Sequence, residues 1–452
     1  MNKNILFSFL LVALGSQVAL AQSSYSLKQC QDLVLQHSKK MKYAQMQQKK
    51  AEIIRKEAWT NYLPQVEAGF YAVQLNKRLI EFSNPSGNLP VYNGDPTTLP
   101  AANQFAFLPA ISLSAGDKMH TGHVTATQPL YAGGRIKTGN RLSEVGVKVS
   151  QLQVKLSKLE LMSKTESMYW QIVALDEKQK TLEAYESLLK TVEKEAKDAL
   201  KAGLIDKSDV LKVGLKQNEV QLNKLKLKNG RQLALMAFCQ HLGIEYDPSM
   251  QLIDALPPNV APSSLEVEAA ASVPKREEYQ MLTQAVKAEE LKTNLKRGEF
   301  LPEVGLGASA FYSDAMENGS NGRLARVGIF LAVKIPISNI WTKRHSMSGQ
   351  VMGEKMAQNR LEETTELLKL QIQKNYYELT ESYHAIALEK QKVAQQEEFM
   401  QTIRDNHKAG VVPLSKLLEA QADVQKAKSE YIDALSAYHQ KVVAYKKASA
   451  QY

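Results

Sequence analysis

The residue types that most often carry out chemistry are few and scattered in this 452-residue chain. Its eight histidines form no His-Glu-x-x-His pattern, and no Cys-x-x-Cys pair occurs. Only His120 and His123 lie close enough in sequence to suggest a metal site. Residues 305–310 imitate a dinucleotide-binding glycine pattern, but they alternate like a strand and no helix follows. The sequence therefore predicts a protein that is not an enzyme and holds no cofactor or metal.

The two cysteines, Cys30 and Cys239, are far apart in sequence and lie on apolar helix faces. Two thiols do not make a disulfide framework. We expect buried free thiols.

The first residues have the features of a secretory signal peptide. Lys3 precedes an apolar run over 5–14, and Ala19-Leu20-Ala21 forms a cleavage signal before Gln22. Beyond it, no stretch approaches the roughly 18 apolar residues that a membrane helix needs. If the mature protein enters a membrane, it must do so with strands in a closed barrel.

The net charge of +10 does not indicate a nucleic-acid partner. Lysine and glutamate are mixed along heptad-like segments, such as 193–197, and no basic block occurs. We interpret these charges as solvated helix faces.

One pattern occurs twice along the chain. Leu63-Pro64 returns as Leu301-Pro302, and 302 − 64 = 238; Ala202-Gly203 returns as Ala409-Gly410, and 410 − 203 = 207. The sequence predicts a signal peptide (1–21) and a first repeat with helix, strand, long external loop, strand and helical hairpin (22–246). A linker (247–263) and a second repeat with helix, β-hairpin and helical hairpin (264–452) follow.

Pro129 returns as Pro336, also 207 residues later, so the difference of 238 − 207 = 31 residues must fall between Pro64 and Pro129. Residues 84–118 are rich in proline, glycine, asparagine and threonine, so they predict a long polar loop. The second copy has only a short turn signal at 318–322.

Apolar residues at alternating steps of three and four predict very long helices. A helix from about Arg135 to Leu200 would be roughly 100 Å long. Such stripes occur in the second half of this helix and in the helices that follow, and we expect them to be buried against other helices. The positions are Leu182, Tyr185 and Leu189, then Leu211, Leu215, Leu222 and Leu225, and Tyr431, Tyr438 and Tyr445.

Each helical hairpin has Lys-Ala-Gly at its tip. Gly203 and Gly410 suit the left-handed conformation that ends many helices. Ser208 and Ser415, five residues later, are predicted to cap the returning helices.

Residues 325–335 alternate between a wholly apolar face and a face with charged and small side chains, as in a transmembrane strand. Residues 304–312 form a matching partner, and 66–75 and 123–128 are weaker candidates. Four strands cannot close a useful barrel, so several subunits must contribute.

These features together resemble the TolC family of outer-membrane efflux channels. The resemblance rests on the duplication, the Leu-Pro before each first strand, the run Gln128-Pro-Leu-Tyr-Ala-Gly-Gly134, and the paired tips. The most specific pieces are Ala202-Gly203-Leu204 with Ser208-Asp209-Val210, and Ala409-Gly410-Val411 with 415–421.

The resemblance implies a mainly α protein with membrane β-strands. Long coiled-coil-like hairpins would form an α-barrel tunnel, and each protomer would give four strands to a trimeric twelve-stranded β-barrel. It also implies a homotrimer in the outer membrane that passively conducts small molecules or polypeptides from an inner-membrane RND, ABC or similar pump through a periplasmic adaptor. The adaptor would dock at Ala202, Gly203, Leu204, Ala409, Gly410 and Val411.

The resemblance places a periplasmic constriction after the tips, at Asp209, Lys416 and Glu419. Lys416 stands where an Asp is common, so a Glu–Lys pair one helical turn apart is expected instead. The partners that Asp209 has in the family align with His407 and Val412, which are not the usual groups.

The alternative interpretation is a periplasmic adaptor, which also contains a long helical hairpin. An adaptor normally has one hairpin between small β-domains, whereas this sequence has two hairpins in equivalent copies. The cargo stays open between drugs, metal ions, metabolites and polypeptides.

Overall fold

The computed structural model describes residues 24–77, 80–91, 94, 97, 104–115, 118–316, 322–337 and 339–452. The predicted signal peptide with its cleavage site, and residues 318–321 of the predicted turn, lie outside the described residues. Among the described residues, no helix is both long and apolar enough to cross a membrane.

Eight helices and ten strands make up the described part of the chain. The helices are α1 (Leu27–His37), α2 (Lys39–Thr60), α3 (Arg135–Lys201), α4 (Lys207–Leu242), α5 (Ala269–Ser272), α6 (Glu277–Gly298), α7 (Asn339–Lys408) and α8 (Leu414–Ala448). The strands are β1 (Ser24–Tyr25), β2 (Gln65–Gln74), β3 (Ile80–Asn84), β4 (Gly87–Pro90), β5 (Phe105–Leu108), β6 (Ile111–Ala115), β7 (Lys118–Ala132), β8 (Gln251–Leu252), β9 (Glu303–Met316) and β10 (Gly322–Lys334).

The chain divides into two compact units. The helical unit consists of the chain up to Ala51, Gly146–Lys287 and Met356–Tyr452. The strand unit consists of Glu52–Val145 and Ala288–Lys355.

The strand unit contains one four-stranded antiparallel sheet in the order β10-β9-β7-β2. All four predicted strands are present, and β7 and β9 extend well beyond the predicted bounds. β7 lies between β2 and β9, so strands from both predicted copies share one sheet.

Residues 84–118 are not the plain loop that their composition predicts. β3 pairs with β6 and β4 pairs with β5, both antiparallel. Each of these strands has only four or five residues. Such short strands give no readable alternation between the many turn-forming residues, so the composition conceals them.

The stripe on α3 is buried, as predicted, but the stripe on α4 is not. Leu182, Tyr185 and Leu189 form a core cluster with Val213 and Val220 of α4. The four predicted leucines of α4 are exposed: Leu211, Leu215, Leu222 and Leu225. α4 buries its opposite face in this chain, because a stripe in the sequence does not specify which helix will cover it.

Three buried tyrosines of the helical unit bind the backbone between Asp254 and Val267, in and just after the predicted linker, with their hydroxyl groups. Tyr438 accepts a hydrogen bond from the Val260 amide at 3.0 Å, and Tyr445 accepts one from Val267 at 3.1 Å. Tyr169 accepts one from the Asp254 amide at 3.1 Å. Tyr438 and Tyr445, two members of the predicted tyrosine stripe, therefore form backbone hydrogen bonds as well as filling the core.

Cys30 and Cys239 are free and buried in one core cluster, as expected. Desolvation by burial is the main cause that raises the pKa of Cys30 to about 12. Its thiol therefore stays protonated and unreactive at neutral pH.

Candidate functional site

Both hairpin tips have the same backbone geometry. At the first, the Gly203 amide donates to the Leu200 carbonyl at 3.0 Å and the Leu204 amide donates to Ala199 at 2.9 Å. This pair of bonds is a Schellman motif, and it requires a left-handed residue at Gly203, where φ is 73°.

The second tip repeats these bonds. The Gly410 amide donates to His407 at 2.9 Å and the Val411 amide donates to Asn406 at 2.9 Å. Gly410 has a φ of 75°. The predicted glycine caps are confirmed at both positions.

The predicted serine caps are wrong. α4 begins at Lys207 after the extended residue Asp206, and α8 begins at Leu414 after Pro413. Ser208 and Ser415 therefore lie inside the first turn. Pro413 has the fixed φ of a residue that precedes a helix, so it starts α8 before the serine is reached.

The tips expose apolar side chains beside a well-packed core. Leu204 is 77% exposed and Val411 is 71% exposed. In the next turns, Leu414, Leu417 and Leu418 are buried. The apolar residue after a Schellman glycine commonly packs back on its own helix, and at these tips it does not.

Each predicted constriction acid has a lysine partner three residues away. The Lys416 ammonium lies 2.9 Å from the Glu419 carboxylate, as expected. Asp209 pairs with Lys212 at 2.9 Å, a residue that the sequence analysis did not single out although its spacing shows it. The Lys416 hydrogen bond lowers the pKa of Glu419, and the Lys416 charge lowers it further.

His407 and Val412 contact each other instead of serving Asp209. The His407 Nδ1 lies 3.0 Å from the Val412 carbonyl oxygen, across the second tip. The His407 ring therefore contacts the backbone on the other side of its own tip.

One face of the four-stranded sheet is apolar across all four strands in its middle. Successive side chains of a strand point to opposite faces of the sheet, so the pairing register assigns each residue to one face or the other. The apolar face carries Val66, Ala68 and Phe70 of β2; Val124 and Ala126 of β7; Leu306, Ala308 and Ala310 of β9; and Val327, Ile329, Leu331 and Val333 of β10.

The opposite face is rich in hydroxyl groups and glycine. The Thr125 and Ser309 hydroxyls lie 2.9 Å apart, and those of Thr121 and Ser313 lie 3.3 Å apart. Arg326 and Lys334 also belong to this face by register.

On this hydroxyl face, a ring covers a glycine on the neighbouring strand at two places. His123 lies over Gly69, and Phe330 lies over Gly307. The glycines are 307 − 69 = 238 residues apart and the rings are 330 − 123 = 207 residues apart, the two spacings found in the sequence. The same cross-strand pair is thus built twice.

His120 and His123 do not form a metal site. They lie on opposite faces of β7 and stack on different rings, His120 on Phe70 with centroids 6.1 Å apart and His123 on Tyr71 at 5.6 Å. Within the described residues, no three histidine, cysteine, aspartate or glutamate side chains come together as metal ligands.

The Gly133-Gly134 turn after β7 permits a very close approach of backbones. A Cβ on Gly133 would lie 2.2 Å from the Gly298 carbonyl oxygen, and Gly133 has a φ of 60°. Beside it, Arg135 holds Glu303 at 2.5 Å. This contact fixes the start of α3 against the start of β9.

The comparisons with known proteins agree with these features. Residues 275–451 match the family model described as outer membrane efflux protein. A comparison with curated proteins gives no match.

Solved outer-membrane channels share the fold along nearly the whole chain. CusC is 12% identical with a TM-score of 0.74, covering 93% of this chain and 91% of CusC. The channel OprN is 13% identical with a TM-score of 0.72, covering 93% of this chain and 89% of OprN. CmeC of Campylobacter jejuni is 13% identical with a TM-score of 0.71, covering 93% of this chain and 85% of CmeC.

At such identities, structural similarity establishes the fold and leaves the cargo open. The matched structures are channels, so the periplasmic adaptor alternative is not supported. Residues 275–451 match this family model and nearly the whole chain shares the channel fold, which confirms the resemblance to TolC-family channels.

Proposed function

We propose that three copies of this chain form an outer-membrane exit duct for a tripartite efflux or type I secretion system. The match of residues 275–451 to the outer membrane efflux protein model supports a conduit rather than an enzyme. The observation that carries the proposal is the four-stranded sheet, which has one apolar face and one face rich in hydroxyl groups and glycine.

The two faces of the sheet suit lipid and water respectively. Transmembrane strands alternate between lipid-facing and lumen-facing side chains. On the apolar face, Val327 is 81% exposed in the single chain. Lipid would cover this side chain in the membrane. The hydroxyl face would line the passage.

The edges of the sheet fit closure by several copies. Each neighbouring pair of strands is antiparallel, so the outer strands β2 and β10 run in opposite directions. β10 of one copy can then pair with β2 of the next without breaking the antiparallel alternation. Four strands are too few to enclose a passage, whereas three copies give twelve.

The tips supply a docking surface for a periplasmic adaptor that joins the duct to an inner-membrane RND, ABC or similar pump. Ala202, Gly203 and Leu204 at the first tip have the same geometry as Ala409, Gly410 and Val411 at the second. Small residues allow close backbone approach, and the two exposed apolar side chains provide surface to bury. Asp209, Lys416 and Glu419 in the next turns would line the narrowest part of the passage.

Two adjacent substitutions in β10 test the proposal. Val327→Arg puts a charge on the apolar face, at a cost of about 2–4 kcal/mol near the middle of a bilayer. Gly328→Arg is the matched control, because its side chain would lie on the hydroxyl face and a Cβ there meets nothing within 4 Å.

The measurement is the amount of trimer in isolated outer membranes, with export of a fluorescent efflux substrate as a second readout. We expect Val327→Arg to reduce trimer in the outer membrane strongly and Gly328→Arg to leave it near wild type. Equal insertion of both variants would contradict the assignment of the lipid-facing side.

A further inference from the structure

A small polar chamber lies between α3, α7 and α8 in the helical unit. Its volume is about 190 Å³. Four polar side chains line it: Thr181 and Tyr185 of α3, and Gln421 and Gln425 of α8. The remaining wall is mostly apolar and includes Leu188, Met400 and Val424.

Two of these polar side chains are buried without a hydrogen-bond partner in the described part of the chain. Gln421 is 2% exposed, and both its Nε2 and its Oε1 are unpaired. Tyr185 is 8% exposed, and its hydroxyl is also unpaired. Gln425 and Thr181 are bonded to each other at 3.2 Å. Buried polar atoms almost always have a partner, either protein or ordered water.

The chemistry of the chamber fits water better than an ion. Lys428, the one charged residue in the lining, is held by Glu397 at 2.7 Å. Burial, together with the charges of Glu219 and Asp423, raises the pKa of Tyr185 to about 12, so the phenol keeps its proton. The unpaired groups therefore include an amide donor, a carbonyl acceptor and a hydroxyl, and water can satisfy all three.

The chamber interrupts the apolar core along α8. On its tip side, Leu414, Leu417 and Leu418 pack in one cluster with α3 and α4. On its other side, Tyr438 and Tyr445 pack in a different cluster with α7. Beside the chamber the buried positions of α8 are small, polar or short: Ala420, Gln421, Val424 and Ala427; Ile432 and Ser436 follow before Tyr438.

We propose that this chamber binds a cluster of ordered water molecules, and that the wet layer lets the tip segment of the helices move separately from the rest. The tip segment consists of α3 from Leu182 and α8 up to Ala420, with the hairpin tips. A dry and interdigitated core resists such sliding, whereas water-mediated bonds can exchange partners. The second half of this proposal rests on the proposed exit duct, whose tips must open for cargo.

The water site is tested on the wild-type trimer by cryo-electron microscopy at a resolution that shows ordered water. We expect density within hydrogen-bond distance of the Gln421 amide and the Tyr185 hydroxyl. An empty chamber, or one closed by a protein side chain, would overturn the proposal. This readout requires no transport, so it is independent of the proposed function.

The wet layer is tested by the double variant Gln421→Leu with Tyr185→Phe, which removes the unpaired polar groups from the chamber and extends the apolar core along α8. We expect hydrogen–deuterium exchange in α8 residues 420–428 to slow about tenfold, because local opening then breaks a continuous core. Gln395→Leu on α7, at an exposed position, is the control and should change nothing there. Unchanged or faster exchange in the double variant would contradict the proposal that the wet layer weakens the helix packing.

Discussion

Each of the two acids proposed for the constriction has a lysine one helical turn away, so both acids are paired within the single chain. Lys416 with Glu419 and Asp209 with Lys212 both lie at 2.9 Å. Exposed pairs of this kind add little stability. In the proposed passage their consequence would be electrostatic, because a cation entering between the tips would meet acids that are already neutralised.

Removing Lys416 should expose the charge of Glu419. Lys416 lowers the pKa of Glu419 through its hydrogen bond and its charge. In Lys416→Ala that pKa rises toward the ordinary value of about 4.3, so the pH at which Glu419 gains a proton also rises. At neutral pH Glu419 remains ionised. We therefore expect the reversal potential in a KCl gradient across planar bilayers to shift in the direction of higher cation selectivity.

Glu419→Ala should shift the reversal potential in the opposite direction, because it leaves the lysine alone. Lys180→Ala removes an equivalent exposed pair with Glu177 on α3 and is the control. If Lys416→Ala and Glu419→Ala shift the potential alike, or not at all, these residues do not line the passage.

The covered glycines make a second residue-scale prediction. A Cβ on Gly307 would lie 2.2 Å from the Phe330 ring, whereas a Cβ on Gly328 meets nothing within 4 Å. Gly307→Val forces the ring to move, at a cost typical of overpacking, about 1–3 kcal/mol. We expect a lower midpoint of heat unfolding for Gly307→Val than for the control Gly328→Val. The two midpoints are measured on purified trimers in detergent, and equal values would contradict this account.

At the scale of elements, the tips combine a strict backbone requirement with a free surface. Any residue except glycine is strained by about 1–2 kcal/mol at the left-handed position. Gly410→Ala and Gly410→Trp share that strain and differ in bulk. We expect Gly410→Trp to abolish efflux with normal trimer assembly, and Gly410→Ala to retain most of it. Export of a fluorescent substrate gives the comparison, and full export by Gly410→Trp would remove the docking argument.

Long, periodic elements could be predicted from the sequence almost to the residue. The helix predicted from about Arg135 to Leu200 is observed as Arg135–Lys201. Its amphipathic stripe is sustained and its end is marked by Gly203. β3 to β6 could not be predicted, because strands of four or five residues carry too little pattern and pair through distant partners.

The candidate site was predictable where the signal is local. The glycine caps and the Lys416–Glu419 pair depend on residues at most a few positions apart. The chamber at Tyr185 and Gln421 could not be predicted. Its lining residues are distant in sequence, and only the folded structure shows that these two side chains lack a hydrogen-bond partner. The serine caps failed because Pro413 begins α8 first.

At the scale of the whole molecule, two apolar stripes have no cover in the single chain. α4 exposes one and α7 exposes another, and their members recur mostly at steps of 11 residues, with one step of seven from Leu370 to Tyr377; both steps keep side chains on one helix face. The first contains Leu211, Leu222, Leu225, Leu233 and Met236, and the second contains Leu370, Tyr377, Leu388 and Phe399. Exposed surface of this extent marks an interaction site.

If the α4 stripe forms the contact between copies, charging it should separate them. Burying a leucine contributes about 1.5–3 kcal/mol, and a glutamate in its place must also be desolvated. We expect Leu222→Glu with Leu233→Glu to run as a monomer with wild-type helix content in light scattering and circular dichroism. Lys228→Glu, on the same helix outside the stripe, should remain a trimer. A trimeric double variant would assign the α4 stripe to another partner and leave β2 and β10 as the main contacts between copies.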